Sequence, residues 1–355
     1  MNIYDIAKLA GVSIATVSRV VNGSDKVSEK TRTRVLSIIE QEGYTPNVFA
    51  QGLGLHTMHT VGILVPDISD LYMSCAVSYL EEQLQIYGYD CILSCSGFDP
   101  AKKAAHTQML LSKHIDALIL VGSTYSGHGK DPCETDYIRN AALQVPVFLI
   151  NGSVAGDNIY CSVSEDRQAV FDATTRLIKN GRRRILFLTD SRSYSAAEKK
   201  AGCLSALEKA GLPADPALQL MAPDEISGVR DLLLEKELSF DAAIATDDVM
   251  AVGVLKYAAA KGISVPKELA VIGCNNSVLS VSCEPELSSI DNRAGSLCQD
   301  TVDHLIAVLG GSTDIPQICH ASCRLVCRKT TDFSSAERPR ISLLDIPDAP
   351  DIVGM

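Results

Sequence analysis

From Thr60 onward the chain alternates short, largely apolar runs with longer amphipathic stretches, and few architectures can use that texture. The runs are Val61–Val65, Tyr89–Leu93, Ala117–Val121 and Val145–Ile150, then Arg184–Leu188, Asp241–Ala245 and Leu269–Gly273. Stretches of roughly 12 to 16 residues with helical character separate neighbours, as parallel connections require. Strands that are apolar along their length must be covered on both faces. The alternation therefore predicts helix-wrapped parallel sheets, and two sets of strands predict two doubly wound α/β subdomains. Such sheets bind ligands at their C-terminal strand ends, here facing a shared cleft.

At 355 residues the chain exceeds one ordinary core. With 46% hydrophobic and 21% charged residues it reads as folded. It has no run of about 18 apolar residues, and its start has no signal-peptide pattern, so a cytoplasmic protein with no membrane partner is expected. The net charge of −11 argues against a protein that coats nucleic acid. The first sixty residues nevertheless carry six basic against five acidic side chains, which leaves the acidity on the rest. Twelve cysteines in a reducing compartment are expected as free thiols. Cys319, Cys323 and Cys327, with His320 beside the first, would share one face if a single strand held them. That spacing allows a metal or redox site. The preferred reading is buried cysteines acting as small apolar groups, with no metal and no cofactor.

The segment before the alternation is different. Ile3, Ile6, Ala7 and Ala10 recur at helical spacing behind Asn2 as cap and Asp5 in the first turn, and Gly11 ends the run. Ser13 caps a second helix with Val17, Val20 and Val21 as its apolar stripe, and Asn22-Gly23 stops it. Ser28 caps a third, which runs through Val35, Leu36, Ile38 and Ile39. A three-residue turn between the first two helices predicts a helix-turn-helix. Ile14, Ala15, Thr16, Ser18, Arg19 and Asn22 face outward on the second helix. They combine one guanidinium, which pairs bidentately with guanine, with hydroxyls and an amide that reach phosphates. A small helical bundle with a solvated polar face would show the same pattern, so the residues alone leave both readings open.

Three stretches, Asp5–Ser13, Thr16–Asn22 and Val27–Arg32, closely resemble the lactose-repressor family of bacterial regulators. Gly43-Tyr44-Thr45-Pro46-Asn47, followed by Ala50 and Leu53, resembles that family's approach to its hinge, and the likeness continues to about Phe333. The resemblance implies a regulator, most often a repressor and not an enzyme, that binds a palindromic double-stranded DNA operator as a homodimer. A small-molecule effector, a carbohydrate or related polar metabolite, would control it. By position, Ile14, Ala15, Arg19 and Lys26 are implied to read bases; Tyr4, Thr16, Ser18, Asn22, Ser28 and Thr31 to clamp phosphates; Ala50 and Leu53 to enter the minor groove. Gly52 and Gly54 bracket Leu53, which is unusual for the family, and each costs about 1 kcal/mol of helix stability. Gly52→Ala and Gly54→Ala are accordingly expected to tighten operator binding or loosen its control, as read by operator titration with and without effector.

The implied organisation is a small all-α head (residues 1–45), a hinge (46–58), a core similar to periplasmic sugar-binding proteins (59–333) and a disordered tail (334–355). Within the core the subdomains would be roughly 60–161 plus 291–320, and 162–290 plus 321–333. Strand ends carry Asp67-Ile68-Ser69-Asp70, Gly122-Ser123, Asn151-Gly152-Ser153, Asp190-Ser191 and Asp247-Asp248. None of the phosphate-loop, nucleophile-elbow or zinc-protease motifs stands there, which favours binding over catalysis. The resemblance implies an effector pocket of Asp70, Tyr72, Met73, Asn151, Lys199, Asp248 and Asn275. Lys199 stands where arginine is usual, Asn151 and Asn275 where aspartate is usual, and Met73 where an aromatic is common. Two readings follow: a different ligand, such as an acidic or phosphorylated sugar, or a drifted pocket and control by a partner protein or by abundance.

Overall fold

The computed structural model describes residues 2–21, 24–43, 57–127, 132–191 and 193–333. Asn22, Ala50, Leu53, the two hinge glycines and the tail lie outside the described residues. The chain divides into two compact units, residues 1–60 with 114–116, and 61–113 with 117–355.

In the first unit three helices, α1 (Ile3–Ala10), α2 (Ile14–Val21) and α3 (Glu29–Gln41), close on a core of Ile6, Ala7, Ala10, Val17, Val20 and Val35. Their ends are set by short polar side chains. The Asn2 side chain accepts from the Tyr4 and Asp5 amides, and Asp5 accepts in return from the Asn2 amide. Gly11 closes α1 in the left-handed region at φ 61°, where a Cβ would be strained. Ser13 and Ser28 accept from the amides of Thr16 and Thr31, at the starts of α2 and α3.

The second unit holds two six-stranded sheets. The first combines β1 (Thr60–Val65), β2 (Asp90–Cys95), β3 (Ala117–Val121), β4 (Val147–Ile150), β5 (Ile159–Ser164) and β11 (Ile318–Ala321) in the order β11-β5-β4-β3-β1-β2. The second combines β6 (Ile185–Thr189), β7 (Gln219–Met221), β8 (Ala242–Ala245), β9 (Ala270–Cys274), β10 (Ser288–Asp291) and β12 (Arg324–Val326) in the order β12-β10-β9-β8-β6-β7. The pairings from β1 through β3, β4 and β5 to β11 are parallel, as are those linking β7, β6, β8, β9 and β10; β12 runs antiparallel to β10. The central strands β1, β3, β4, β6, β8 and β9 are buried almost throughout. Those are six of the seven strands the apolar runs predict; the seventh, β2, is an edge strand and is largely uncovered, because it has a neighbour on one side only.

Helices α4 (Leu71–Ile86), α5 (Pro100–Leu111), α6 (Asp136–Ala142) and α12 (Ala294–Leu309) belong with the first sheet, α4 and α12 packing on each other. Helices α7 (Asp166–Lys179), α8 (Tyr194–Lys209), α9 (Ile226–Lys236), α10 (Asp248–Lys261) and α11 (Val278–Ser282) belong with the second, where α7 packs on α8 and α9 on α10. The chain therefore passes between subdomains three times: after β5, between β10 and α12, and between β11 and β12.

Close packing of α7 on α8 depends on Gly202, because a Cβ there would collide with the backbone oxygen of Arg167. Gly202→Ala must push two helices apart, and is expected to cost about 3 kcal/mol or more in urea unfolding. Unchanged stability would mean that this contact is looser than it stands.

Two expectations from sequence need correction. Cys319, Cys323 and Cys327 do not share a strand face: Cys319 lies in β11 of one sheet, Cys323 in the crossover, and Cys327 beyond β12 of the other. A bend between β11 and β12 separates them, and no cluster able to hold a metal occurs among the described residues. All twelve cysteines are free, but only Cys161, Cys203, Cys274 and Cys298 are buried, while Cys95 and Cys133 are exposed. No helix among the described residues is long and apolar enough to cross a membrane.

Candidate functional site

On the head, the outward face of α2 carries Ile14, Ala15 and Arg19, all exposed, while Val17 and Val20 on the opposite side are buried. Positions 14, 15, 18 and 19 share a helix face by spacing. The half-buried Thr16 shares a hydrogen bond with Ser13 at 2.9 Å, so its hydroxyl also supports the cap. Tyr4 is 67% exposed at the start of α1. Lys26 is exposed in the loop before α3, and that loop is fixed by the Arg32 guanidinium donating to the Ser24 carbonyl at 2.7 Å. Ser28 and Thr31 share a bond at 2.9 Å at the start of α3. This face thus offers one guanidinium, one ammonium and several hydroxyls next to the positive ends of three capped helices, a surface suited to an anionic duplex.

In the second unit the C-terminal strand ends of both sheets converge on a cavity of 120 Å³. Asp70, Tyr72, Met73, Asn151, Lys199 and Asn275 line it together. Asp70 caps α4 by accepting from the Met73 amide at 2.8 Å. Burial, and then the neighbouring Asp190 and Asp67, push its carboxyl above the usual range against that bond. The Tyr72 hydroxyl is buried without a partner and is pushed well up by that burial. Met73 packs its thioether against Gly122, filling the wall where an aromatic ring would project. Asn151 accepts from Ser164 at 2.8 Å, and Asn275 from Asn292 at 3.1 Å. Both have left-handed backbone, φ 59° and 85°, a region asparagine tolerates better than most residues.

Lys199 is 5% exposed and donates to the Thr246 carbonyl at 3.1 Å. Burial opposes its charge, but Asp166 and Asp247 outweigh burial and hold the ammonium above the ordinary lysine range. Asp166 in turn accepts from the Ser195 hydroxyl. The neighbouring Asp166 and Asp247 thus offset the charge of Lys199.

Asp248 does not reach the cavity. It takes the Ser277 amide at 2.6 Å, the Ser277 hydroxyl at 2.8 Å and the Ser289 hydroxyl at 2.6 Å behind the wall. Its neighbour Asp247, the extended N-cap of α10, lines the cavity instead. Helix geometry decides which of two adjacent aspartates faces the cavity, and sequence cannot separate them. Burial lifts the Asp248 carboxyl to about 6 although those donors and Arg328 pull it down. With the folded carboxyl raised, the stability it contributes is present below its ordinary value and is lost as pH rises through about 6. The stability difference between wild type and Asp248→Asn should therefore shift by about 2 kcal/mol against wild type from pH 4.5 to 7.5. A difference that does not change with pH would refute the raised carboxyl.

Sequence reasoning missed Asp224 and Phe98 altogether. Asp224 follows β7, a three-residue strand with no apolar run to announce it, and Phe98 follows β2. Asp224, Asp190 and Asp247 crowd one side of the cleft: burial first, then their mutual repulsion, raises the carboxyls of Asp224 and Asp247.

Residues 2–47 match the family model described as bacterial regulatory proteins, lacI family, and residues 174–331 match the periplasmic binding protein-like domain. An HTH-type transcriptional regulator of Lachnoclostridium phytofermentans is 44% identical over 336 residues, covering 94% of this chain and 100% of that protein. Among solved structures, the lac repressor dimer bound to operator and the anti-inducer ONPF superposes with a TM-score of 0.82 at 23% identity, over 93% of this chain and 99% of that one. The transcriptional regulator CelR–cellobiose complex gives 0.67 at 25% identity, again over 93% and 99%. These relatives are transcriptional regulators, and both their extent and their identity place the present chain among them: it is a DNA-binding transcriptional regulator of the lacI family.

Proposed function

We propose that the protein is a cytoplasmic repressor that binds a palindromic operator as a homodimer and is controlled by an uncharged carbohydrate in its cleft. The outward face of α2 supports the DNA reading. Ile14 and Ala15 lack hydrogen-bonding side chains and suit thymine methyls, whereas Arg19 suits guanine. Lys26 would reach the groove beside Arg19; Tyr4, Thr16, Ser18, Ser28 and Thr31 would hold phosphates, and Asn22, Ala50 and Leu53 keep the roles the family implies. The observation that carries the ligand reading is the charge of the cleft: Asp70, Asp190, Asp224 and Asp247 face it, against the one ammonium of Lys199, which Asp166 also offsets. Carboxylates accept from hydroxyl groups and repel anions, so a polyol fits and a sugar phosphate does not. Lobes that close on such a ligand would change the spacing of two heads, coupling sugar to operator reciprocally by about 1–3 kcal/mol.

Selection of binding sites from random duplexes, at two salt concentrations, tests the regulator. Enrichment of one palindrome with half-sites a helical turn apart, bound more weakly at high salt, is expected. Weak, sequence-blind binding would overturn it. With the operator known, neutral sugars and sugar phosphates compared for its release test the effector class; release by the phosphates alone would reverse the charge argument.

A further inference from the structure

We propose that the effector is an oligosaccharide of at least two units, with an outer ring clamped between apolar jaws at the cleft mouth. The inference rests on the carbohydrate reading above and deepens it. The strand-end cavity is continuous with a larger space at the cleft mouth, so a sugar seated on the strand ends can be extended outward. A second unit linked to that sugar would extend the same way. It would project into a second chamber of 790 Å³, which is continuous with the first through the shared walls Asp70, Phe98, Thr124, Asp190, Ser193 and Asp224. That volume lies within the roughly 300–1,000 Å³ that accommodates a molecule larger than one sugar.

The outer chamber differs in chemistry from the inner one. Leu71 (40% exposed) and Phe98 (61%) reach it from the first subdomain, and Met221 (51%) and Pro223 from the second. Phe98 follows β2 and Met221 ends β7, and these are the edge strands of their sheets. The two edges thus form opposed apolar jaws. Three large apolar side chains left this exposed around one chamber are costly unless something covers them. A pyranose is suited to that space: its C–H faces pack on an aromatic or thioether surface, while its hydroxyl rim can donate to Asp67, Asp190 and Asp224 around the same chamber. An outer ring held by both jaws would bridge the lobes, which a monosaccharide confined to the inner cavity would do less fully.

The test measures binding of glucose, cellobiose and cellotriose, of xylose, xylobiose and xylotriose, and of mannose and mannobiose, to the full chain and to Met221→Ala by calorimetry. In one series the oligomer is expected to bind at least about tenfold tighter than its monosaccharide. Met221→Ala should remove most of that advantage while leaving monosaccharide binding and the melting temperature in place, since Met221 lines the outer chamber and not the inner one and is half exposed. A monosaccharide that binds as tightly as its oligomers, or an oligomer advantage that survives Met221→Ala, would overturn the outer subsite and leave the carbohydrate effector intact. Absence of binding by every sugar would overturn both.

Discussion

Arg19→Ala should lower affinity for the selected operator by about 10²–10⁴-fold, with little change in binding to unrelated duplex. A bidentate guanidinium–guanine pair is worth about 1–3 kcal/mol of discrimination, and a homodimer on a palindrome makes it twice. The head should keep its fold, because Arg19 is exposed on α2 and the core residues Val17 and Val20 face the other way. Helicity by circular dichroism checks this directly. The distinguishing measurement is binding against salt. Losing a base contact moves specific affinity while leaving most of the salt slope, whereas losing a cation that only neutralises a phosphate lowers specific and nonspecific binding together and reduces the slope by about one. A loss of less than threefold, or an equal loss on unrelated DNA, would remove Arg19 from base reading.

The largest effect expected in the core is at Lys199. Its ammonium is buried, donates to the Thr246 carbonyl and balances Asp166. Lys199→Met leaves that carboxylate buried with the Ser195 hydroxyl and the Cys323 thiol as donors, and the Thr246 carbonyl without its ammonium. Breaking a buried charge pair from one side typically costs about 3–5 kcal/mol, which would appear as a large fall in the urea midpoint. Asp166→Asn in the same background should recover part of the loss, since the pair is then removed from both sides. A cost below about 1 kcal/mol would assign the ammonium to the ligand and not to the fold. Lys199→Arg separates the cases further: the longer, planar fork needs room beside Thr246, so it should destabilise the free protein even though the charge is kept.

Much of the architecture was legible before any coordinates. The strands buried on both faces announce themselves as apolar runs, because a central parallel strand has no polar side to alternate with. Short caps such as Asn2, Ser13 and Ser28 mark the helix starts, because their partners lie two or three residues away. What stayed hidden was short or decided at a distance. β5 carries Ser162 and Ser164, whose hydroxyls meet Thr301 and Asn151 across the fold, so its burial does not show as hydrophobicity. β7, β11 and β12 span three or four residues each and are held by neighbouring strands.

The same division runs through the candidate site. By itself the sequence indicated the helix-turn-helix face and the two lobes, and its family resemblance named seven pocket residues, six of which line the inner cavity. Tertiary structure alone decided that Asp247 and not Asp248 faces the cavity, that Asp224 and Phe98 join from loops after edge strands, and that Asp166 offsets the charge of Lys199. Those facts depend on the direction of side chains and on groups brought together from distant segments. Charge and periodicity along a chain carry no record of either.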